Sequence, residues 1–144
     1  MKKVILDCDP GHDDAIAIML ACASSELEVL GITTVAGNQT GEKTFTNALK
    51  ILTLIGKDLP VARGFDKPLL RELVTAPEIH GETGLDGADL PTPSIKVCDV
   101  HAVNFIIETL LSADEPVYLI PTGPLTNIAV ALLLAPEIKE KVKK

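Results

Sequence analysis

The sequence predicts an α/β fold, an open and mostly parallel sheet with flanking helices. Three observations carry that reading. Strand-like runs alternate with helix-like runs along the whole chain, the order that builds βαβ units. The strand-like runs are apolar almost throughout, as strands buried on both faces require. The 144 residues are 47% hydrophobic with only three Phe, one Tyr and no Trp, so the core must be Leu, Ile, Val and Ala. Length and composition suit one domain with a sizeable core.

Lys3–Asp7 reads as the first strand and Asp13–Ala23 as the first helix. Glu28–Val35 is a second strand. The next helix covers about Gly41–Ile55, with Phe45, Ala48, Leu49, Leu52 and Ile55 on one face and Gly56 as its C-terminal cap. Pro60–Ala62 is a short third strand. Arg63–Val97 is rich in Pro and Gly and weakly periodic, a length usual for lids, binding loops or disorder. Asp99 can cap a helix that turns Val103, Ile106, Ile107, Leu110 and Leu111 inward. Val117–Pro121 is another buried strand, followed by a helix from Pro124 to Ala135 and a last helical piece from Pro136. The result is a Rossmann-like arrangement. Ligands of such sheets bind beyond the carboxyl ends of the strands. Asp7–Asp14, Val35–Asn38, Ala62–Gly64 and Pro121–Gly123 should therefore share one rim.

The net charge is −7 and the pI near 4.9, with no basic stripe to neutralise a phosphate backbone, so nucleic acid is not expected as a partner. Lys139, Lys141, Lys143 and Lys144 read as cations complementing a helix end. Cys8, Cys22 and Cys98 are odd in number and lack metal-type spacing, which suits a reducing compartment. No apolar run is long enough to span a bilayer and no signal peptide is apparent, so the expected location is cytoplasmic, away from membranes.

Chemistry concentrates in Asp7-Cys8-Asp9-Pro10-Gly11-His12-Asp13-Asp14, where four carboxylates meet at the junction of an apolar strand and an apolar helix. At roughly 4 Å and an effective dielectric of about 20, each close pair costs on the order of 4 kcal/mol. Helix N-terminal amides offset part of that. A hard divalent cation or a raised pKa is the remaining relief. Asp13 and Asp14 point about 100° apart on a helix, so one suits metal and the other substrate. Cys8 alternates away from Asp7 and Asp9 and reads as a small buried hydrophobe. His12 reads as solvent-facing and His101 as structural or exposed, while His80 lies in a Gly-flanked loop.

The spacing of Asp7 and Asp9 is similar to the run closing the first strand of haloacid-dehalogenase-type phosphatases. That family has Thr or Val two places further on, where this chain has Gly11. A wider resemblance runs from residue 3 to the end. Asp7–Ala15, Val35-Ala36-Gly37-Asn38-Gln39-Thr40, Ile79-His80-Gly81-Glu82 and Pro121-Thr122-Gly123-Pro124-Leu125-Thr126-Asn127 resemble, in this order, the motifs of the inosine-uridine nucleoside hydrolase family.

That resemblance implies hydrolysis of the N-glycosidic bond of ribonucleosides, purine or pyrimidine, with Ca²⁺ as cofactor. It implies that Asp9 binds calcium and acts as general base on its bound water. Asp14 and the Thr122 backbone carbonyl would be further calcium ligands. Asp13 would bind a ribose hydroxyl, Asn38 would sit beside the catalytic water and sugar, and His80 would lie in the loop covering the base. Asp7 is expected to steady Asp9 or its loop from behind. Family members continue through a second half that brings another calcium-binding aspartate and further ribose contacts. Residues 1–144 are thus expected to be the N-terminal part of a single, truncated domain, short of turnover alone. The resemblance also implies a homo-oligomer, dimer or tetramer. Two other readings stay open, a calcium- and ribose-binding remnant and a remnant serving only oligomerisation. The phosphatase reading would instead require a phosphoryl group on Asp7 and Mg²⁺.

Overall fold

The computed structural model describes residues 1–95 and 97–143. Four parallel strands, β1 (Lys2–Cys8), β2 (Leu27–Thr34), β3 (Val61–Arg63) and β4 (Tyr118–Pro121), form one sheet in the order β3-β2-β1-β4. Helices α1 (His12–Ala23) and α2 (Gly41–Leu54) connect the first three strands. The short α3 (Pro77–His80) and the longer α4 (Ala102–Ser112) lie between β3 and β4, and α5 (Thr126–Leu134) follows. A 3₁₀ turn at Pro136–Glu140 leads to a single parallel bridge between Val142 and Val117. The strand order reverses at β1, between β2 and β4. The carboxyl end of β1, which carries the acidic run, is therefore the switch point where such sheets open a crevice.

Alternation along β1 divides the core. Leu6 and Cys8 face Ile18 of α1 and Leu49, Ile51 and Leu52 of α2. Ile5 faces Val103, Ile106 and Leu110 of α4 and Ala131 of α5. Cys8 is buried among these side chains, as its place in the alternation predicts. The α2 helix ends as expected. Gly56 takes φ 64°, its N–H reaches the Thr53 carbonyl and the Lys57 N–H reaches that of Leu52, a Schellman closure. On α5 and the turn before it, Leu125, Leu133 and Leu134 are exposed, and β4 is an edge strand. Among the described residues no helix is long and apolar enough to cross a membrane.

Two expectations for the helix after residue 98 are corrected. Asp99 does not cap it. The Cys98 N–H bonds to the Val61 carbonyl, which ties this stretch to β3, and the helix starts only at Ala102, so Asp99 lies ahead of the capping position. The cap is His101, whose Nδ1 accepts the Val103 N–H at 3.2 Å. Leu111 does not face inward but is 43% exposed, while Ala102 takes a buried place. Full burial of an Ile or Leu is worth about 1.5–3 kcal/mol, against about 1 for a cap. Packing thus decides where the helix lies, and capping falls to whichever residue then precedes it. Replacing His101 with Ala should cost about 1 kcal/mol in chemical denaturation, while Asp99→Ala should stay within about 0.5 kcal/mol.

Candidate active site

The four parallel strands bring the expected rim together, and the acidic run occupies its centre. The Asp9 N–H donates to Asp14 Oδ2 at 3.0 Å, so the first turn of α1 folds back onto the end of β1. Asn38, just beyond β2, grips Asp9 twice. Its N–H donates to Asp9 Oδ2 at 2.7 Å and its Nδ2 to the Asp9 carbonyl at 3.1 Å. Glycines complete the seat. A Cβ on Gly37 would overlap the Asp9 carboxylate, and one on Gly123 would stand 2.9 Å from Asp9 Oδ1. Backbone from the ends of β2 and β4 therefore approaches this one side chain as closely as atoms allow.

Asp7 lies beneath and is wholly inaccessible. Its Oδ1 accepts the Thr33 hydroxyl at 2.6 Å and Asn127 Nδ2 at 2.8 Å, while Oδ2 has no partner among the described residues. Its backbone carbonyl accepts the Thr122 N–H at 2.8 Å and the Gly123 N–H at 3.3 Å. Full burial removes Asp7 from the nucleophile role that the phosphatase reading assigned to it. Asp7 instead ties the ends of β1, β2 and β4 into one block.

Thr122 is exposed at the end of β4, next to the acidic turn. Asp13 is exposed one position round α1, near enough that its charge raises both Asp9 and Asp14. His80 is the last residue of α3 and not part of the following loop. Its ring packs on Gly11, where a Cβ would meet Nδ1 at 2.6 Å. It also stacks on His12 with centroids 5.7 Å apart. His12 is exposed as expected, yet its Nε2 is also bonded to the Asp86 carbonyl at 3.0 Å. Asp9, Asp14 and Asn38 thus meet directly, with Thr122, Asp13 and His80 around them.

Residues without an assigned role in the sequence reading hold this arrangement. Asn127 sits in the apolar run Thr126–Leu134, fully buried. Its Nδ2 also donates to the Thr34 carbonyl at 2.9 Å, and its Oδ1 accepts the Phe65 N–H at 3.1 Å. A buried amide in an apolar helix must find partners, and that was the signal available.

Burial dominates the electrostatics. It pushes the Asp7 carboxyl up to about 6, against opposing hydrogen bonds from Asn127 and Thr33. It pushes Asp9 to about 6 as well, opposed by the Asn38 N–H and reinforced by the charge of Asp14. Asp14 is raised by burial too. Desolvated carboxylates side by side, with oxygen the only donor type, suit a hard divalent cation. Asp9 and Asp14 are the side chains able to hold one. Among the described residues no three acidic, His or Cys side chains converge, so this pair alone falls short of the six to eight oxygens calcium takes.

Comparison with known proteins agrees with the motif reading. Residues 4–144 match the family described as inosine-uridine preferring nucleoside hydrolase. A pyrimidine-specific ribonucleoside hydrolase RihA of Photobacterium profundum is 56% identical over 142 residues, covering 98% of this chain and 46% of that protein. A RihA of a Shewanella species is 55% identical over 144 residues, covering 99% and 45%. Among solved structures, a purine-preferring ribonucleoside hydrolase from Gardnerella vaginalis superposes with TM-score 0.92 at 38% identity, covering 98% of this chain and 46% of that one. An inosine-guanosine nucleoside hydrolase gives 0.90 at 35%, covering 99% and 44%. The chain spans just under half the length of the relatives it matches.

Because Asp7 and Asp9 titrate higher in the fold than the usual value near 4, the folded chain binds more protons between about pH 4 and 6. Their contribution is fully present below pH 4 and is lost as pH rises through 6. It is on the order of 3 kcal/mol for Asp7 alone. With divalent cations chelated, the melting temperature should be about 5 °C higher at pH 5 than at pH 7.5. Asp7→Asn, which mimics the protonated acid, should remove about half of that dependence in calorimetric scans and leave the share of Asp9.

Proposed function

The chain belongs to the inosine-uridine preferring nucleoside hydrolase family, and from that premise we propose that its rim binds calcium and a ribonucleoside and serves hydrolysis of the N-glycosidic bond. The observation that carries the reading is the Asp9–Asp14 junction at the switch point, with Asp9 seated by Asn38, Gly37 and Gly123. Asp9, Asp13 and Asp14 have no use in a purely structural piece.

Water attacks the anomeric carbon, the bond from that carbon to the base nitrogen breaks, and its electron pair leaves with the base. Asp9 takes the proton of the attacking water. Its Oδ2 is fixed by the Asn38 N–H, which leaves Oδ1 for that task. Asp14 and the Thr122 carbonyl complete the calcium ligands that this chain contributes beside Asp9. A bound divalent cation supplies Lewis acidity toward water and toward sugar hydroxyls. Asp13, exposed and aside from the Asp9–Asp14 contact, accepts a ribose hydroxyl, and Asn38 orients sugar and nucleophile from the end of β2. His80 flanks the base, and Asp7 steadies the floor through Thr33 and Asn127.

Uridine and cytidine are the substrates to try first, since the relatives at 55–56% identity are named as pyrimidine-specific. Three free cysteines support a reducing, cytoplasmic setting.

Calorimetric titration with calcium at pH 7.5, followed by assay of reducing sugar released from uridine, tests the reading. Binding should weaken at least about tenfold in the Asp9→Ala/Asp14→Ala variant, and in the unaltered chain as pH falls below about 6, where protons compete for the same oxygens. Absence of binding at millimolar calcium would overturn the metal assignment. Sugar release that the variant loses would carry the hydrolase reading over the binding remnant, and binding without release would mean an incomplete active site.

A further inference from the structure

Lys43 and Asn47, four residues apart, share one face of the first two turns of α2, and Gln39 stands just ahead of its N-terminus. They reach three successive carbonyls of the segment after α3. Gln39 Nε2 donates to the Gly81 carbonyl at 2.8 Å, Lys43 Nζ to that of Glu82, and Asn47 Nδ2 to that of Thr83 at 2.9 Å. The rungs are cross-linked, because Lys43 Nζ also donates to Gln39 Oε1 at 3.3 Å. Asn47 Nδ2 makes a second bond, at 3.1 Å, to the Pro10 carbonyl inside the acidic run. Gln39 and Asn47 are each only 3% exposed.

The opposing backbone is shaped to receive this ladder. Gly81 and Gly84 take φ of 76° and 88°, and a Cβ on Gly84 would stand 2.8 Å from Asn47 Nδ2. The Asp86 carboxylate ties the loop internally by accepting the Glu82 and Thr83 N–H groups. Buried polar contacts between uncharged groups are each worth only about 1 kcal/mol net, but leaving one unmade costs more. Such a ladder therefore selects one register of the loop more than it adds stability.

We propose that Gln39, Lys43 and Asn47 are positioning residues. They fix the Gly81–Thr83 backbone, and His80 with it, as a preformed wall of the ribonucleoside site beside Asp9 and Asp14. The inference rests on the ribonucleoside reading for its purpose but not for its geometry.

Hydrogen exchange on the 144-residue chain, combined with binding of uridine in saturating calcium and with calcium titration, tests it. In Asn47→Leu and in the half-exposed Lys43→Met, exchange at Glu82–Leu85 should quicken at least about tenfold while β1 and β2 stay protected. Uridine affinity should fall by a similar factor, and calcium affinity in Lys43→Met should change less than about twofold. Lys43→Arg, which keeps a donor, should restore both exchange and uridine binding. If Asn47→Leu fails to fold, Lys43→Met still decides the matter. Unchanged loop exchange would overturn the ladder. A loosened loop with undiminished uridine affinity would overturn its role in positioning. Failure of the unaltered chain to bind uridine would overturn the wall as a ribonucleoside contact sufficient in these residues, while exchange would still report whether the ladder holds the loop.

Discussion

Burying a carboxylate at the carboxyl end of a central strand is costly, and the architecture around Asp7 is organised by that cost. Its Oδ1 takes a hydroxyl from β2 and an amide from α5, and its main-chain carbonyl takes two N–H groups from the turn after β4. Those partners come from three different segments. Satisfying these two oxygens therefore fixes the relative height of three strand ends and one helix. Asn127 extends the same logic to a fourth segment through Phe65. The acidic rim above rests on this block, which backs the Asp9–Asp14 contact that the turn itself makes.

Part of this was legible in the sequence, and the reason is locality. Apolar runs of strand length and turn residues after them located the strand ends, hence the rim. The dense acids and the glycines near Asn38 and Thr122 marked its chemistry. The helix after residue 98 shows where local reading fails. Asp99 is the better capping residue by type, yet Cys98 is bridged to Ala62 of β3, far earlier in the chain, and the helix starts only at Ala102. Leu111 matches the helical period, but the inward stripe is only as wide as the space beneath it, and Ala102 fills a place that periodicity had not assigned.

The supporting amides were hidden for a related reason. Asn47 bonds to residues 36 and 37 positions away, Gln39 to one 42 away, and Asn127 to Asp7 across 120. Nothing nearby in the chain announces such partners. The clue is negative, a short amide on a face that ought to be apolar. Arg63–Val97 carries the same lesson from the other side. Its weak periodicity suggested a lid, a binding loop or disorder without saying which, and the part from Gly81 to Asp86 is shaped by glycines and held by side chains of another element.

The two glycines around Asp9 act as a gauge of side-chain length. With backbone pressed against both carboxylate oxygens, the seat admits a carboxylate one methylene from the main chain and leaves no space for a longer arm to fold away. Glutamate, chemically the same acid, would have to push its head group outward into the space meant for ligands or prise apart the ends of β2 and β4. The rim thus discriminates between two acids of nearly equal strength by reach alone, and it does so with residues that have no side chains.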